Sequence, residues 1–134
     1  GTLGGQGIQG IQGITGGLTG SITFSEGTSI PSASNIDDYA INDAAFYKIS
    51  GSTASNINGF ANGSSGRFII IANNTNKNQT FNQEATSSAA SNRFVLGVAN
   101  KTIGVNQTAT FIYLTGLTVG GSSSQSRWVM TGST

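Results

Sequence analysis

Few side chains in this sequence could carry out chemistry. The chain has no His and no Cys, and its charged residues are six Lys or Arg and five Asp or Glu. A Ser-His-Asp triad, a thiol nucleophile, a His- or Cys-based zinc site and a disulfide are therefore excluded. The net charge of +1 offers no electrostatic surface for nucleic acid or an anionic membrane. We predict a protein without enzymatic activity, without a cofactor and without a nucleic-acid partner.

Asp37, Asp38 and Asp43 form the one acidic cluster of the sequence. Calcium binds carboxylate oxygens, but this spacing does not match an EF-hand loop, and paired Asp residues also cap turns. Asp37 and Asp38 are poorly placed as a general acid and base, because neighbours in a strand point to opposite faces. We predict no metal site and no catalytic residue here.

Glu84 and Arg93 stand on either side of a Ser- and Ala-rich segment. Because charges are scarce in this chain, we predict that the two form a structural ion pair that locks a hairpin or a subunit contact. The alternative is a pair of residues that contacts a receptor.

The aromatic residues Trp128 and Tyr113 are the candidates for ligand contact, since aromatic rings stack on sugars. The competing interpretation is that Trp128, next to Val129 in a terminal strand, belongs to the core. Two segments rich in Gly, Ser and Asn, residues 52–66 and 120–126, are predicted to be exposed tips suited to polar glycans.

Glycine recurs at every third position near the start of the chain, without an interruption. This spacing is typical of a collagen-like triple helix, in which only Gly fits at the crowded axis. A flexible Gly-rich linker is the alternative, but linkers do not keep a strict phase. We predict a triple-helical stem over residues 1–20, with these axis residues: Gly1, Gly4, Gly7, Gly10, Gly13 and Gly16.

The stem has two further properties. The chain's single Pro is Pro31, outside the stem, so the stem chains are not preorganised and need a trimeric head to hold them in register. Residues 5–10 also match the dinucleotide motif G-x-G-x-x-G, but a three-residue glycine period generates that match by itself, without the strand and helix that the motif requires. We therefore predict a homotrimer and no nucleotide site.

After the stem, short apolar runs alternate with turn-forming segments. Helical periodicity is absent, and β-branched and aromatic residues fill the runs. We predict an all-β head over residues 21–134, an antiparallel β-sandwich of the jelly-roll kind. The predicted strands lie at residues 22–25, 46–49, 67–71, 80–81, 93–96, 108–114 and 127–130.

Two runs, residues 68–71 and 111–114, are apolar at every position. Such runs are buried on both faces of a sheet. A subunit interface would bury the second face, and so would a long loop over a central strand. The longest unbroken apolar run, residues 68–72, is far shorter than the ~20 residues of a membrane span, so we predict no membrane insertion.

The chain resembles bacteriophage tail-fibre and virion-spike proteins, in which a short collagen-like stem leads into a trimeric β-sandwich or jelly-roll head. The resemblance is carried by the stem, by Glu84 and by the order of several short motifs, although the stem departs from the pattern in lacking Pro. The general plan is also similar to complement and tumour-necrosis-factor heads and to collagen-like proteins of spore surfaces. The motifs lie at residues 47–51, 66–73, 87–94, 111–113 and 127–128.

This resemblance implies a homotrimeric fibre tip or module on the exterior of a virus particle. Its implied partners are two further copies of the chain, other virion proteins upstream in the fibre, and glycans on the host cell surface. The alternative is a knob, viral or bacterial, that trimerises and registers a collagen-like fibre without binding a ligand. A glycan-degrading enzyme is disfavoured, because five acidic residues offer no obvious catalytic pair.

Overall fold

A computed structural model describes residues 20–97 and 99–134 of the chain. The predicted axis residues Gly1, Gly4, Gly7, Gly10, Gly13 and Gly16 lie outside the described residues. The described part consists of β-strands and one short 3₁₀ helix, Ala90–Asn92, so the predicted all-β class is confirmed. The strands are β1 (Ile30–Pro31), β2 (Asn35–Ile36), β3 (Tyr39–Ala40), β4 (Phe46–Ser50), β5 (Ser55–Ile57), β6 (Phe60–Ala61), β7 (Phe68–Asn73), β8 (Gln79–Phe81), β9 (Phe94–Val95), β10 (Lys101–Ile103), β11 (Thr108–Val119) and β12 (Ser122–Ser133).

The first eight strands form three successive turns of the chain, stacked one on the next. Strands β1, β2 and β3 make the first turn, β4, β5 and β6 the second, and β7 and β8 the third. Each strand pairs in parallel with its counterpart in the next turn, as Ile30 with Ile49 and Ile36 with Ile57 illustrate. A turn takes roughly 20 residues, a period typical of solenoid proteins. These turns are a short β-solenoid.

The later strands extend two of the three sheets of the solenoid. The sheet orders are β1-β4-β7-β11-β12-β9, β10-β8-β5-β2 and β3-β6. In the described residues, antiparallel pairing is confined to β7–β11, β11–β12 and β8–β10, and the β9–β12 pair is again parallel. The predicted antiparallel, jelly-roll-like arrangement is therefore wrong for most strand pairs. Side chains alternate across a strand in both kinds of sheet, so the apolar pattern could not identify each strand's partner.

One apolar core fills the space between the sheets. Phe81 of β8 contacts Phe111 of β11 across it, with ring centroids 4.9 Å apart. Phe94 packs edge-on against Phe60 and Phe81, at centroid distances of 5.2 and 5.4 Å. Edge-to-face aromatic pairs contribute stability beyond the area that they bury. The six-stranded and four-stranded sheets thus face each other as in a sandwich, while the chain connects them as a solenoid.

Two of the predicted local features are not found. Residues 22–25 form no strand, although Glu26 makes an isolated bridge to Phe46. The segment 52–66, predicted to be an exposed tip, contains β5 and β6 and places Ile57 and Phe60 in the core with no exposed surface. Gly59, Asn62 and Gly63 lie at the corners between consecutive strands, where a chain bends as sharply as in a loop, whereas Asn56 lies within β5.

The β11–β12 hairpin is longer than the sheet that it joins. The ladder between β11 and β7 ends at Ile112, and residues 115–126, here called the arm, continue past the start of β7. Residues 120–126, predicted to be an exposed tip, lie at the end of the arm, and most of them are exposed. Glu26 pairs in parallel with Phe46. The chain therefore reaches the six-stranded sheet at the end where β4 and β7 begin, and the arm projects from the same end.

Candidate functional site

Glu84 forms an ion pair, but with a different partner from the one predicted. Arg127 donates from Nε to Oε2 of Glu84 at 2.6 Å and from Nη2 to Oε1 at 3.0 Å, and Arg127 is 4% exposed. The Nε of Arg93 donates instead to the backbone oxygen of Ser88 at 2.9 Å. The predicted Glu84–Arg93 pair is therefore wrong, because β12 lies directly beside β9 and brings Arg127 to Glu84. The pair joins β12 to the segment that follows β8.

The two aromatic candidates for ligand contact belong to the core. Trp128 is fully buried and its Nε1 donates to the backbone oxygen of Phe60 at 2.9 Å. Tyr113 is 6% exposed and its hydroxyl donates to the backbone oxygen of Ser91 at 2.8 Å. Their ring centroids are 5.0 Å apart. Neither ring is available to stack on a sugar, so the prediction of ligand contact is wrong for both.

Asp37 and Asp38 fasten a loop to the solenoid. One oxygen of Asp37 accepts hydrogen bonds from Asn58 Nδ2 at 2.7 Å and from Ser87 Oγ at 2.8 Å. One oxygen of Asp38 accepts from the backbone N of Ala89 at 2.8 Å and from a side chain of the same loop. Within residues 20–97 and 99–134, no three His, Cys, Asp or Glu side chains come together as metal ligands. The two carboxylates have a structural role.

Arg67 is a residue whose role the sequence did not reveal. Its Nη1 donates to the backbone oxygen of Asn62 at 2.7 Å, and its Nη2 donates to the hydroxyl of Tyr47 at 2.6 Å and to the backbone oxygen of Asn42 at 2.5 Å. Tyr47 itself is fully buried and donates to Asn42. Arg67 thus joins the corners of two consecutive turns. Partners some 20 residues away can be assigned from the sequence only when the repeat has been recognised.

Much of the outer side of the six-stranded sheet is apolar, although Lys48 and Thr110 also lie on it; its apolar part is here called the apolar face. The register places Phe46 beside Ile70, and it places Phe68, Ile112 and Val129 in one row across three strands. Phe68 is 47% exposed, and the others are half-buried. Strand β7 was predicted to be apolar on both sides, and the structure puts Ile69 and Ile71 inside and these residues outside. The apolar face comprises Phe46, Phe68, Ile70, Val95, Ile112 and Val129.

The outer side of the four-stranded sheet has the opposite character. The register aligns Asn35, Asn56, Thr80 and Thr102 in one row, here called the polar face. The hydroxyls of Thr80 and Thr102 are hydrogen-bonded at 2.9 Å. Neighbouring strands are about 4.8 Å apart, so the row presents regularly spaced amides and hydroxyls. Groups of this kind form hydrogen bonds with sugar hydroxyls.

Neither face contains a cavity. The described part of the chain has no pocket, and within it no helix is long and apolar enough to cross a membrane. No protein-family model, curated protein or solved structure matches this chain. The extended surfaces of the described residues are the two sheet faces.

Proposed function

We propose that this chain is a homotrimeric fibre module on the exterior of a virus particle, with residues 1–20 as a collagen-like stem and residues 21–134 as its head. The observation that carries the proposal is the unbroken recurrence of glycine from Gly1 to Gly16. A triple helix needs three chains and a glycine at every axis position. In this role the stem connects the head to other virion proteins upstream in the fibre.

The head supports this function in two ways. A stem without Pro does not hold three chains together unaided, and the apolar face supplies the surface on which heads associate. Stacked parallel turns also make a compact head whose described residues enclose no pocket, a feature that favours a structural module over an enzyme.

Glycan binding at the host surface is the second candidate function, and the polar face favours it. With Trp128 and Tyr113 buried, the exposed amides and hydroxyls of the polar face become the candidate contacts. Such flat polar contacts are individually weak, and three copies on one fibre add their effects through avidity. A head that binds no glycan would be the registration knob, the alternative within the same structural function.

The mass of the particle in solution tests the structural proposal. Light scattering coupled to size exclusion should give three times the 13.6 kDa of the chain. Replacing Gly7 and Gly10 by Ala should make the stem sensitive to protease, whereas replacing Gln6 and Gln9 by Ala should leave it resistant, because only the glycines occupy the axis. A monomer, or equal protease sensitivity in both variants, would contradict the proposal.

A truncated chain separates the contributions of stem and head. Deletion of residues 1–20 should leave a trimer, since the head and not the stem drives assembly. A monomeric head after this deletion would show that the stem supplies the association energy.

A glycan array probed with the trimer tests the second function. If the polar face binds sugars, the double variant Asn56→Ala, Thr80→Ala should lose the signals that the unaltered trimer gives. The matched control, Ser123→Ala at the exposed end of the arm, should retain them. An array without signal, or signals that survive the double variant, would remove glycan binding by this face.

A further inference from the structure

We propose that the apolar face is the subunit interface, at which each head packs against the same face of two further copies around the axis of the stem. This inference rests on the homotrimer of the proposed function and names the surface that forms it. The occupant of the face is therefore this chain itself.

The contrast between the two sheet faces is the first support. A sheet face directed to water carries polar side chains between its buried ones, and the polar face follows this rule with Asn35, Asn56, Thr80 and Thr102. The apolar face breaks it in the same molecule: three strands in succession present apolar side chains outward in the row that starts at Phe68. An extended apolar patch on a protein surface marks an interaction site.

The path of the chain from the stem into the head is the second support. Backbone N atoms of Ala45 and Phe46 donate to the oxygen of Ser25, which fixes Ser25 beside the start of β4. The preceding residues Ile22 and Phe24 are 61% and 54% exposed. Four large apolar side chains of the described residues are exposed, and three of them, Ile22, Phe24 and Phe68, lie where the chain leaves the stem. The fourth is Val105.

The short connection between stem and head limits where the three heads can lie. Each residue extends the chain by at most about 3.6 Å, so Gly20 and Ser25 are less than about 20 Å apart. Three chains wound around one axis emerge from the stem side by side. Phe24 and the end of the sheet at which Phe68 lies are therefore held near the axis, and the apolar face extends from this end.

The charges near the apolar face agree with a buried interface. Lys48 is on the outer side of β4, and its Nζ lies 3.4 Å from Glu26 Oε2 of the same chain. Arg127 is paired with Glu84. Each of these cations has an acidic partner within its own subunit, so three faces can approach one axis without unpaired like charges.

A matched pair of lysine substitutions in the full chain tests the proposal. Ile112→Lys places a charge in the middle of the apolar face, and Thr102→Lys places the same charge on the polar face. We expect Ile112→Lys to raise the trimer dissociation constant by about 100-fold or more, because three unpaired ammonium groups would be buried together. Thr102→Lys should leave light-scattering mass and dissociation unchanged.

Label distances provide a second measurement that does not depend on disrupting the trimer. The chain has no Cys, so Thr110→Cys and Thr102→Cys each introduce a unique site for a nitroxide label. Thr110 lies beside Ile70 on the outer side of the six-stranded sheet. Distances between subunits should be short for labels at Thr110 and long for labels at Thr102.

The outcomes distinguish this inference from the function on which it rests. A monomeric unaltered chain would overturn both. A trimer that both lysine variants leave intact, or one in which labels at Thr110 are farther apart than those at Thr102, would overturn the interface and leave the trimeric fibre module standing. If Ile112→Lys failed to fold, the label distances alone would decide.

Discussion

Arg127 binds Glu84 through two parallel hydrogen bonds, of 2.6 Å from Nε to Oε2 and 3.0 Å from Nη2 to Oε1. The two residues are 43 positions apart in sequence. Arg127 belongs to β12, and Glu84 follows Gln83, which bridges to Phe94 on the other side of β9. The ion pair thus spans β9 and joins the last hairpin to the third turn of the solenoid.

Removal of Glu84 should be costly for stability. Glu84→Ala leaves the Arg127 guanidinium buried without its partner. We expect the free energy of unfolding to fall by about 2–3 kcal/mol. This is less than for a fully buried pair, because part of Glu84 is exposed. Asp43→Ala is the control, since Asp43 is an exposed acidic residue, and it should cost less than about 1 kcal/mol. Urea unfolding at one protein concentration measures both. Equal losses would contradict a structural role for the Glu84–Arg127 pair.

Tyr113 lies flat against Gly63. A Cβ atom at position 63 would be 2.1 Å from Cε1 of the Tyr113 ring, which no side chain can tolerate without movement. Gly63→Ala should therefore destabilise the fold by about 1–3 kcal/mol. In a Tyr113→Ala background the same change should cost almost nothing, because the ring that it strikes is gone. Additive losses in thermal or urea unfolding would show that the contact is not the cause.

Asn73 stands at the end of an inward column in which the two preceding turns carry Ile30 and Ile49. Its Nδ2 donates to the backbone oxygens of Lys77 and Gly104 at 2.7 and 3.0 Å, and the residue is 1% exposed. Asn73→Ala removes one donor from each of these oxygens, although Lys77 keeps a bond from Thr75 Oγ1, and we expect a loss of about 1–3 kcal/mol. Urea unfolding measures the loss, and an unchanged midpoint would contradict the role of these hydrogen bonds.

Asn73→Asp tests the same site through pH. The oxygen that replaces Nδ2 would face the backbone oxygens of Lys77 and Gly104 in a buried site, and we expect this to outweigh the two bonds that Thr75 donates to the other oxygen. The pKa of this Asp should therefore be raised above its unfolded value. The folded state then binds the proton more tightly, and the stability of Asn73→Asp should fall as pH rises from the unfolded pKa, about 3.9, to the folded one. Asn73→Ala should lack this additional dependence. The free energy of unfolding of both variants is measured from about pH 3 to about pH 7, the range in which a carboxyl group titrates. Parallel curves for the two variants would contradict the prediction.

Trp128 reports directly on whether the core assignment is correct. It is the only Trp of the chain, and it is fully buried with its Nε1 bonded to Phe60. We expect blue-shifted emission that iodide does not quench, and a red shift on unfolding. Emission should also remain unchanged when an oligosaccharide is added. If iodide quenched the emission of the folded protein, or if sugar shifted the emission maximum, Trp128 would be a surface residue and the core assignment would be wrong.

Much of the strand content was predictable from the sequence. The predicted strands at residues 46–49, 67–71 and 108–114 correspond to β4, β7 and β11. Each combines β-branched or aromatic residues with flanking Gly, Ser or Asn, and these local preferences do not depend on the strand's partner. Residues 22–25 also alternate between apolar and polar side chains, but they form no strand because no neighbouring strand pairs with them.

The candidate site was less predictable than the strands. Trp128 and Tyr113 are the type of residue that binds sugars at a surface and also the type that fills a core, and only their position in the sheet decides between the two. Glu84 was recognised as one half of an ion pair, but Arg93, the next basic residue along the chain, was the wrong partner. The long return of β12 to lie beside β9 determines the correct one.

By itself the sequence determined the all-β class, the glycine period, the lack of His and Cys, and the short apolar runs, because each depends on residue types and local spacing alone. Only the tertiary structure decided that the strands stack in parallel turns, that Glu84 meets Arg127, and that one sheet presents an apolar outer face while another presents Asn and Thr. These features depend on which strands become neighbours. Alternation assigns a side chain to one of two sides of its strand, and the packing of distant turns decides which side meets the core and what lies beside it.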